Sequence, residues 1–218
     1  MNLRLDWCSH ESAKWSCEHY HYARKVVTGK TIKIGVWENQ NFIGCLIYGR
    51  GANNNALKKY KLDITEGCEL MRVALKKHET SVTKIMSISR KLLLKNSPNL
   101  KLIISYADPE QGHEGTIYKA DNWIYEGLTD KVDYYIDEKG KELHWRNARF
   151  AQKRGEKLKM FYKPGKHKFI YPLDRKWYDD YMRQQSKSKT LGYQSRKGGA
   201  VPTLTHQIER KLSENYGK

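Results

Sequence analysis

The sequence predicts an α/β fold: a mixed central sheet flanked by helices, carrying a basic C-terminal extension. Three observations predict it. A polar turn separates two apolar β runs between residues 31 and 49, which calls for an antiparallel hairpin. A strand–helix–strand run over residues 69–107 demands a right-handed crossover between parallel strands. Positive charge gathers late in the chain: residues 139–170 carry 11 basic and 2 acidic side chains, against 20 and 17 in residues 1–138.

The elements follow in order. Residues 11–25 (ESAKWSCEHYHYARK) suit a helix, with Ser9 or Ser12 as its cap. TIKIGVW at 31–37 and FIGCLIYG at 42–49 flank the turn Glu38-Asn39-Gln40-Asn41 as a hairpin. GRGANNN at 49–55 is a Gly/Asn loop, and ELMRVAL at 69–75 reads as a strand. A helix spans about 81–95, because Val82, Ile85, Ile88 and Leu92 recur at spacings of three and four behind a Ser81 cap. Asn96-Ser97-Pro98-Asn99 breaks it. LKLIISYA at 100–107 is an apolar run of the kind buried on both faces. Asp108-Pro109 makes a turn, a short helix near 113–121 follows, and NWIYEGL at 122–128 is a strand. Residues 133–136 and 143–145 pair around Glu138-Lys139-Gly140. From about 183 onward the chain reads as flexible, with a short terminal helix at 206–212. The expected organisation is a catalytic domain over 1–137, a basic aromatic nucleic-acid-binding extension over 138–182, and a flexible basic tail over 183–218.

Composition narrows the function classes. Hydrophobic residues at 39% of 218 positions suffice for a core and exclude wholesale disorder. No apolar run approaches the roughly 20 residues of a membrane helix, and MNLRLDWCSHES lacks a signal-peptide core. A cytoplasmic protein is expected. Cys8, Cys17, Cys45 and Cys68 form no CxxC pair and read as reduced thiols, not as a zinc ribbon or a disulfide scaffold. There is no P-loop, GxSxG, HExxH or GxGxxG signature, and no methyltransferase glycine motif. The basic segment interleaves with Trp145, Phe150, Phe161, Tyr162 and Phe169. Cations that neutralise phosphates, mixed with rings that stack or wedge, compose a nucleic-acid-binding surface rather than a merely solvated face.

The order of elements resembles the N-acetyltransferase fold of the GNAT superfamily. That resemblance implies that the strand ELMRVAL splays from its neighbour. The cleft then admits an acyl donor, and the loop and helix N-terminus that follow bind its phosphates, since free N–H groups and the helix dipole favour anions. Here that loop is Lys76-Lys77-His78-Glu79-Thr80-Ser81, without the family's Arg or Gln and glycine-rich turn, and no glycine occurs between 76 and 96. The loop therefore departs from the usual acetyl-CoA binding pattern. Tyr118-Lys119-Ala120-Asp121-Asn122-Trp123 resembles the family's Tyr-x-x-x-Gly-Phe, whose Tyr serves as general acid. More specifically, CEHYHYARK (17–25), KIGVWENQNFIGCLIYGRGAN (33–53), CELMRVALKKH (68–78) and ISYADPEQGHEGTIYKADNWIYEG (104–127) resemble the Mom-like DNA adenine modification proteins of bacteriophages such as Mu. This implies a transferase that converts adenine in DNA to carbamoylmethyl (glycinamide) adenine and protects the phage DNA from restriction.

Such chemistry has demands of its own. The 6-amino group of adenine is a poor nucleophile and lies inside the duplex, so the base must be flipped out. The product carries a CH2 on that nitrogen and ends in a primary amide. Acetyl transfer supplies no second nitrogen, whereas a glycyl unit supplies all the atoms. The favoured donor is therefore glycyl-tRNA, with acetyl-CoA or another acyl-CoA plus a separate nitrogen source as the alternative. Double-stranded DNA and tRNA are the expected partners. The competing classes are a conventional acetyltransferase and a non-catalytic DNA-binding regulator.

Each candidate residue has a functional and an ordinary reading. His19, Tyr20, His21, Tyr22 and Arg24 could supply a base, a proton shuttle or metal ligands, or simply pack on an amphipathic helix. His19 and His21 point to different faces unless the helix ends there. An iron site is conceivable, but the spacing is not diagnostic and no metal is assigned. The catalytic set is His19, His21, Tyr22, Asp108, His113 and Tyr118. Asp108 acts as a base, orients His113 or caps a turn; Tyr118 protonates a leaving alkoxide or packs in the core; both follow the strand end where open α/β sheets place chemistry. The donor set is Glu69, Arg72, Lys76, Lys77, His78, Ser81 and Ser105. Strand alternation puts Glu69 and Met71 on one face and Arg72 on the other. The DNA set is Arg24, Arg50, Asn53, Arg146, Arg149, Lys153 and Arg154. Asn53 suits adenine's edge, or else turn chemistry.

Overall fold

The computed structural model describes residues 2–51, 53 and 55–194, of which 187–194 are described by backbone alone. The first strand, β1 (Leu3–Trp7), pairs antiparallel with β2 (Thr31–Glu38). Five residues were too few to show a period in the sequence. Helix α1 (His10–Tyr20) starts at Ser9, whose Oγ accepts the Ser12 N–H. It stops five residues before the expected end. His21 turns extended (φ −108°, ψ 138°), and Arg24, at φ 48°, donates through Nη1 to the carbonyls of Glu18 and His19. Those are carbonyls that a helix C-terminus leaves open.

The hairpin of β2 and β3 (Asn41–Gly49) forms as expected, followed by β4 (Gly67–Leu75), α2 (Val82–Asn96), β5 (Leu102–Ala107), α3 (Thr116–Ala120) and β6 (Ile124–Leu128). Ser81 caps α2 by accepting the Lys84 N–H. Then come β7 (Val132–Asp137), β8 (Glu142–His144), α4 (Trp145–Lys153), β9 (Leu158–Lys163) and β10 (His167–Pro172). The main sheet runs β1-β2-β3-β4-β5-β10-β6, and a smaller one runs β8-β7-β9. The pair β4–β5 is parallel and every other pair in the main sheet is antiparallel.

The segment expected as an extension from 138 onward therefore enters the main sheet. Strand β10 lies between β5 and β6 with Phe169 and Ile170 buried. What was read as an appendage is an insertion, about 129–166, between two strands of one sheet. The surrounding lysines masked a short apolar strand in the composition. The stretch after 183, expected to be flexible, is helical to 194: α5 (Arg175–Gln194) belongs to a second compact unit beginning at Arg175. Ion pairs Arg175–Asp179 and Arg183–Asp180 support its first turns. The expected helix at 206–212 lies outside the described residues.

Helices cover both faces of the main sheet. On one side Leu46, Tyr48, Leu70 and Ile103 pack with Ile85, Met86 and Leu93 of α2 and with Tyr118 and Phe169. On the other, Cys45, Ile47 and Ala74 pack with Ala13 and Cys17 of α1.

Two irregularities shape the centre. First, β4 and β5 pair only at Gly67–Leu102, Cys68–Ile103 and Glu69–Ile104, after which the strands part as the GNAT resemblance implied. Second, the β3–β4 register jumps from Tyr48–Leu70 to Ile47–Arg72, leaving Met71 as the extra residue of a bulge. The bulge reverses the expected alternation, and Glu69 and Arg72 share the α1 face.

A buried ion pair ties α2 to the end of α3. Both guanidinium nitrogens of Arg90 reach Asp121, which also accepts the Trp123 indole N–H at 2.8 Å, and the guanidinium lies 3.9 Å over the Tyr171 ring. Removing one partner leaves a buried charge uncompensated. We expect Arg90→Ala to cost about 3–5 kcal/mol in urea unfolding. A loss below about 1 kcal/mol would mean the pair is solvated in practice.

Candidate active site

A cavity of about 510 Å³ opens where β4 and β5 part. Its walls are Met71, Arg72 and Val73 from β4, Tyr106 and Ala107 from β5, His113 to Tyr118, and Tyr20, His21 and Tyr22 at the end of α1.

The fork is held by Ser105. It is fully buried, and its hydroxyl reaches the Leu70 carbonyl at 2.8 Å and the Tyr118 hydroxyl at 2.7 Å. Serine has one hydroxyl proton and a carbonyl can only accept. With that proton on Leu70, the Tyr118 O–H donates to Ser105. A lone pair of the Tyr118 oxygen then remains for a ligand. Burial pushes the Tyr118 phenol up to about 12, so it is protonated at neutral pH. Its ring is wedged against Trp123 and Phe169, with centroids 5.0 and 5.1 Å away.

His21 leaves the helix just where its ring can enter the cavity. Its Nδ1 accepts the Ala23 N–H at 3.1 Å, so the neutral ring carries its proton on Nε2. Burial, then the nearby Arg72, His113 and Lys166, push its pKa down to about 4. At neutral pH it is an uncharged hydrogen-bond donor. Tyr22 sits at the mouth, 4.3 Å from the His21 ring and edge-on to His113 at 5.1 Å.

Arg72 faces the cavity and is anchored through Nη1 to the Met71 carbonyl at 2.7 Å. Burial pushes the Glu69 carboxyl up to about 7, with Arg72 and Lys166 pulling the other way. His78 lines the cavity and donates from Nδ1 to the Lys76 carbonyl at 2.7 Å. Lys76, Lys77 and Ser81 are exposed.

Other expected site residues are committed elsewhere. His19 points out, stacked on Trp15 at 4.3 Å with Nδ1 donating to the Trp15 carbonyl. The early end of α1 is what separates it from His21. Arg24 spends its guanidinium on the α1 carbonyls. Asn53 does turn chemistry, with Oδ1 accepting the Asn55 N–H at 2.9 Å, while Arg50 is exposed. Asp108 caps the turn Pro109–Gln111 and pairs with Lys166 at 2.8 Å; it meets His113 only through a backbone bond, so it does not orient that ring. Ser105 is sealed in the core and holds strands rather than a donor.

Sequence reasoning missed Glu38 and Tyr106. Glu38 accepts the N–H groups of Glu79 and Thr80 at 3.1 and 2.8 Å and the Thr80 hydroxyl at 2.5 Å. The Thr80 hydroxyl first, then these backbone bonds, hold its carboxyl below the usual range. The loop expected to receive donor phosphates thus already holds an anion of its own. No sequence signal links a strand end to a loop some 40 residues away. Tyr106 was hidden inside an apolar run.

The insertion presents a cationic surface. On α4, Ala148 and Ala151 are buried, while Arg146, Arg149, Phe150 and Lys153 face outward at helical spacing, with Phe150 62% exposed. Arg146, Arg149 and Lys153 have no ion pair among the described residues; Arg154 pairs with Glu156 at 2.8 Å. Lys163–Glu110 at 3.5 Å and Lys166–Asp108 fasten the insertion beside the cavity.

Among the described residues no three His, Cys, Asp or Glu side chains are placed to hold a metal ion. Nor is any described helix long and apolar enough to cross a membrane.

Comparison with known proteins decides the family. The model of the Mom protein family matches residues 2–195. The chain belongs to the Mom protein family. A curated relative from Escherichia phage Mu, methylcarbamoylase mom, is 24% identical over 139 residues, which is 62% of this chain and 58% of that protein. The chain thus matches less than two thirds of that relative's length. Among solved structures, aminoglycoside acetyltransferase AAC(6')-Ib in complex with coenzyme A and kanamycin aligns with TM-score 0.49 and 9% identity, covering 82% of this chain and 98% of that one. Spermidine N-acetyltransferase from Vibrio cholerae in complex with CoA and spermine aligns with TM-score 0.43 and 12% identity, covering 79% and 96%.

The environment of His21 yields a pH prediction. Its pKa is about 6.5 unfolded and about 4 folded, so the unfolded chain takes up the proton first as pH falls. The stability contribution is complete above pH 6.5 and is lost as pH falls through 4. His21→Asn keeps an acceptor for Ala23 and removes the titration. After discounting for partial exposure, the variant should gain about 1–2 kcal/mol on wild type between pH 7 and pH 4 in urea unfolding. A pH-independent difference would show that the ring is freely solvated.

Proposed function

We propose that this protein is a phage DNA-modifying transferase that converts adenine in double-stranded DNA to carbamoylmethyl adenine by glycyl transfer, protecting that DNA from restriction. The observation that carries the reading is the Mom family match across residues 2–195. The geometry supports it: a cavity at a strand fork holds one neutral imidazole and one buried phenol, beside an insertion with uncommitted cations.

The outward face of α4 holds the DNA backbone, and an adenine leaves the stack to reach the cavity. The donor is an activated glycyl ester, with glycyl-tRNA the natural source. As the adenine nitrogen bonds to the glycyl carbonyl carbon, one of its N–H bonds breaks with the proton passing to solvent at the cavity, and negative charge develops on the carbonyl oxygen. The Nε2–H of His21 is a ready donor to it, and being uncharged it gives up no proton of its own. The ester C–O bond breaks, and the leaving oxygen takes a proton from Tyr118, whose O–H swings from Ser105 to that oxygen as it departs. The free glycyl amine then attacks C6 of the purine and closes a five-membered ring. Reopening breaks the bond from C6 to the original nitrogen, which departs as a primary amide. All atoms of the product come from adenine and one glycyl unit. An acyl-CoA with a separate nitrogen source is the competing donor. Glu38 weighs against it, because it occupies the Glu79 and Thr80 N–H groups of the loop where a pyrophosphate would bind.

Two measurements test this. Nucleosides from plasmid DNA co-expressed with the protein should include deoxyadenosine heavier by a glycinamide-type group on mass spectrometry. An acetyl-sized shift would restore acetyl-CoA, and unmodified adenine with soluble protein would reject the reading. Separately, Arg146→Ala, Arg149→Ala and Lys153→Ala combined should weaken duplex binding and reduce the slope of log affinity against log salt by about 2–3. An unchanged slope would place the DNA elsewhere.

A further inference from the structure

We propose that Phe150 is a wedge for duplex DNA: its ring enters the base stack beside the target adenine and holds open the gap that the extruded base leaves. The assignment rests on the DNA-modifying reading above and names a residue for its base-extrusion step.

Phe150 is 62% exposed, more than any other large hydrophobic side chain among the described residues. Packing does not require it to face out: α4 meets β7 and β8 while burying the small side chains Ala148 and Ala151. Arg146 and Arg149 stand four and one residues before Phe150, and Lys153 three after, so the four side chains form one stripe on the helix. Arg146 and Lys153 are about 10 Å apart along the axis, one on each side of the ring. Cations so placed can hold phosphates on both sides of a base step while the ring enters between the bases.

The charge around the ring suits a polyanion. Carboxylates that share a hollow with Phe150 are already engaged: Glu156 by Arg154 at 2.8 Å, Glu142 by Lys163 at 2.6 Å, and Asp137 by the N–H groups of Lys139 and Lys141. Asp133 shares another hollow with Arg149 and makes no ion pair with it. Arg146 lies over the Trp145 ring at 5.3 Å, with its charge still uncompensated by any carboxylate among the described residues. The insertion's other exposed ring lacks this setting. Tyr162, 59% exposed, stands opposite Asp133 in the β7–β9 pairing, and strand alternation gives it Met160 and Leu158 as neighbours on its face rather than cations.

A phenyl ring has nothing to offer a phosphate. Set among three cations, it needs a partner that is anionic outside and apolar within, and the faces of stacked bases meet that need. Extruding an adenine leaves its neighbours unstacked, and a ring in the gap restores part of that contact. Lys163–Glu110 and Lys166–Asp108 fasten the insertion to the turn that leads into Gly112 and His113 of the cavity wall. The stripe and the cavity thus belong to one compact unit.

The test compares wild type, Phe150→Ala and Phe150→Leu by plasmid binding across salt concentrations, by plasmid unwinding, and by adenine modification in cells. Unwinding is read as the topoisomer shift left after a topoisomerase relaxes plasmid with the protein bound. Wild type should shift the distribution in proportion to the protein bound, because a ring between bases untwists the duplex. Phe150→Ala should melt with wild type and bind within about threefold of its affinity with an unchanged salt slope, since no phosphate contact is lost. At equal occupancy it should give less than about a quarter of the topoisomer shift, and it should modify adenine at least about tenfold less. Leucine is still an apolar wedge, so Phe150→Leu should recover most of both. Equal shifts for wild type and Phe150→Ala overturn the assignment, as does a wild type that binds plasmid without unwinding it. A flatter salt slope in Phe150→Ala also overturns it, because the ring would then only position the cations. Wild type that unwinds plasmid through Phe150 and modifies no adenine keeps the wedge and rejects the function proposed above. Wild type that does not bind plasmid rejects both and leaves an acidic protein as the partner of α4.

Discussion

Two parallel strands that share three residue pairs and then part must leave backbone groups without ladder partners. Buried carbonyls do not tolerate that, so another donor has to reach them. Here the donor is the Ser105 hydroxyl on the Leu70 carbonyl, and the same oxygen receives Tyr118. One serine therefore closes the apex of the fork and sets the phenol that faces the cavity. The rest of the site is arranged around that opening: Arg72 reaches it through the bulge at Met71, and His21 reaches it because α1 ends one residue earlier.

The electrostatics follow from the same opening. Arg72 and Lys166 flank it, and their charge, after burial itself, keeps His21 neutral. Near Glu69 these two cations oppose burial without overcoming it. A neutral donor and a carboxyl near 7 can therefore coexist beside fixed positive charges. The insertion continues the positive character outward. Its lysines 163 and 166 pair with Glu110 and Asp108 just beyond β5, so the surface fit for a polyanion and the cavity fit for chemistry belong to one unit.

Some of this was legible in the residues. The β2–β3 hairpin, the α2 period and the caps at Ser9 and Ser81 are local, and local patterns survive in a linear string. His21, Tyr22, Arg72, His78, His113 and Tyr118 were all named from sequence and line one cavity. His19, Arg24 and Asp108 were named on the same grounds and serve the ends of α1 and the Pro109 turn. Residue type and spacing do not distinguish a side chain that faces a cavity from one that finishes a helix. The place of β10 was invisible for another reason: it joins β5 from some 60 residues away, through an insertion whose charge dominated its composition.

By itself the sequence determined the class of fold, the concentration of cations after residue 138, and the segments from which the site is drawn. Each depends on periodicity, composition or near neighbours along the chain. The tertiary structure alone decided that Glu69 and Arg72 share a face, that His21 has its proton on Nε2, that Glu38 fills the loop before α2, and that the basic segment is an insertion within the sheet. The physical reason is common to all four. Each is settled by which backbone N–H or carbonyl finds which acceptor or donor, and that pairing exists only once distant strands and loops have come together.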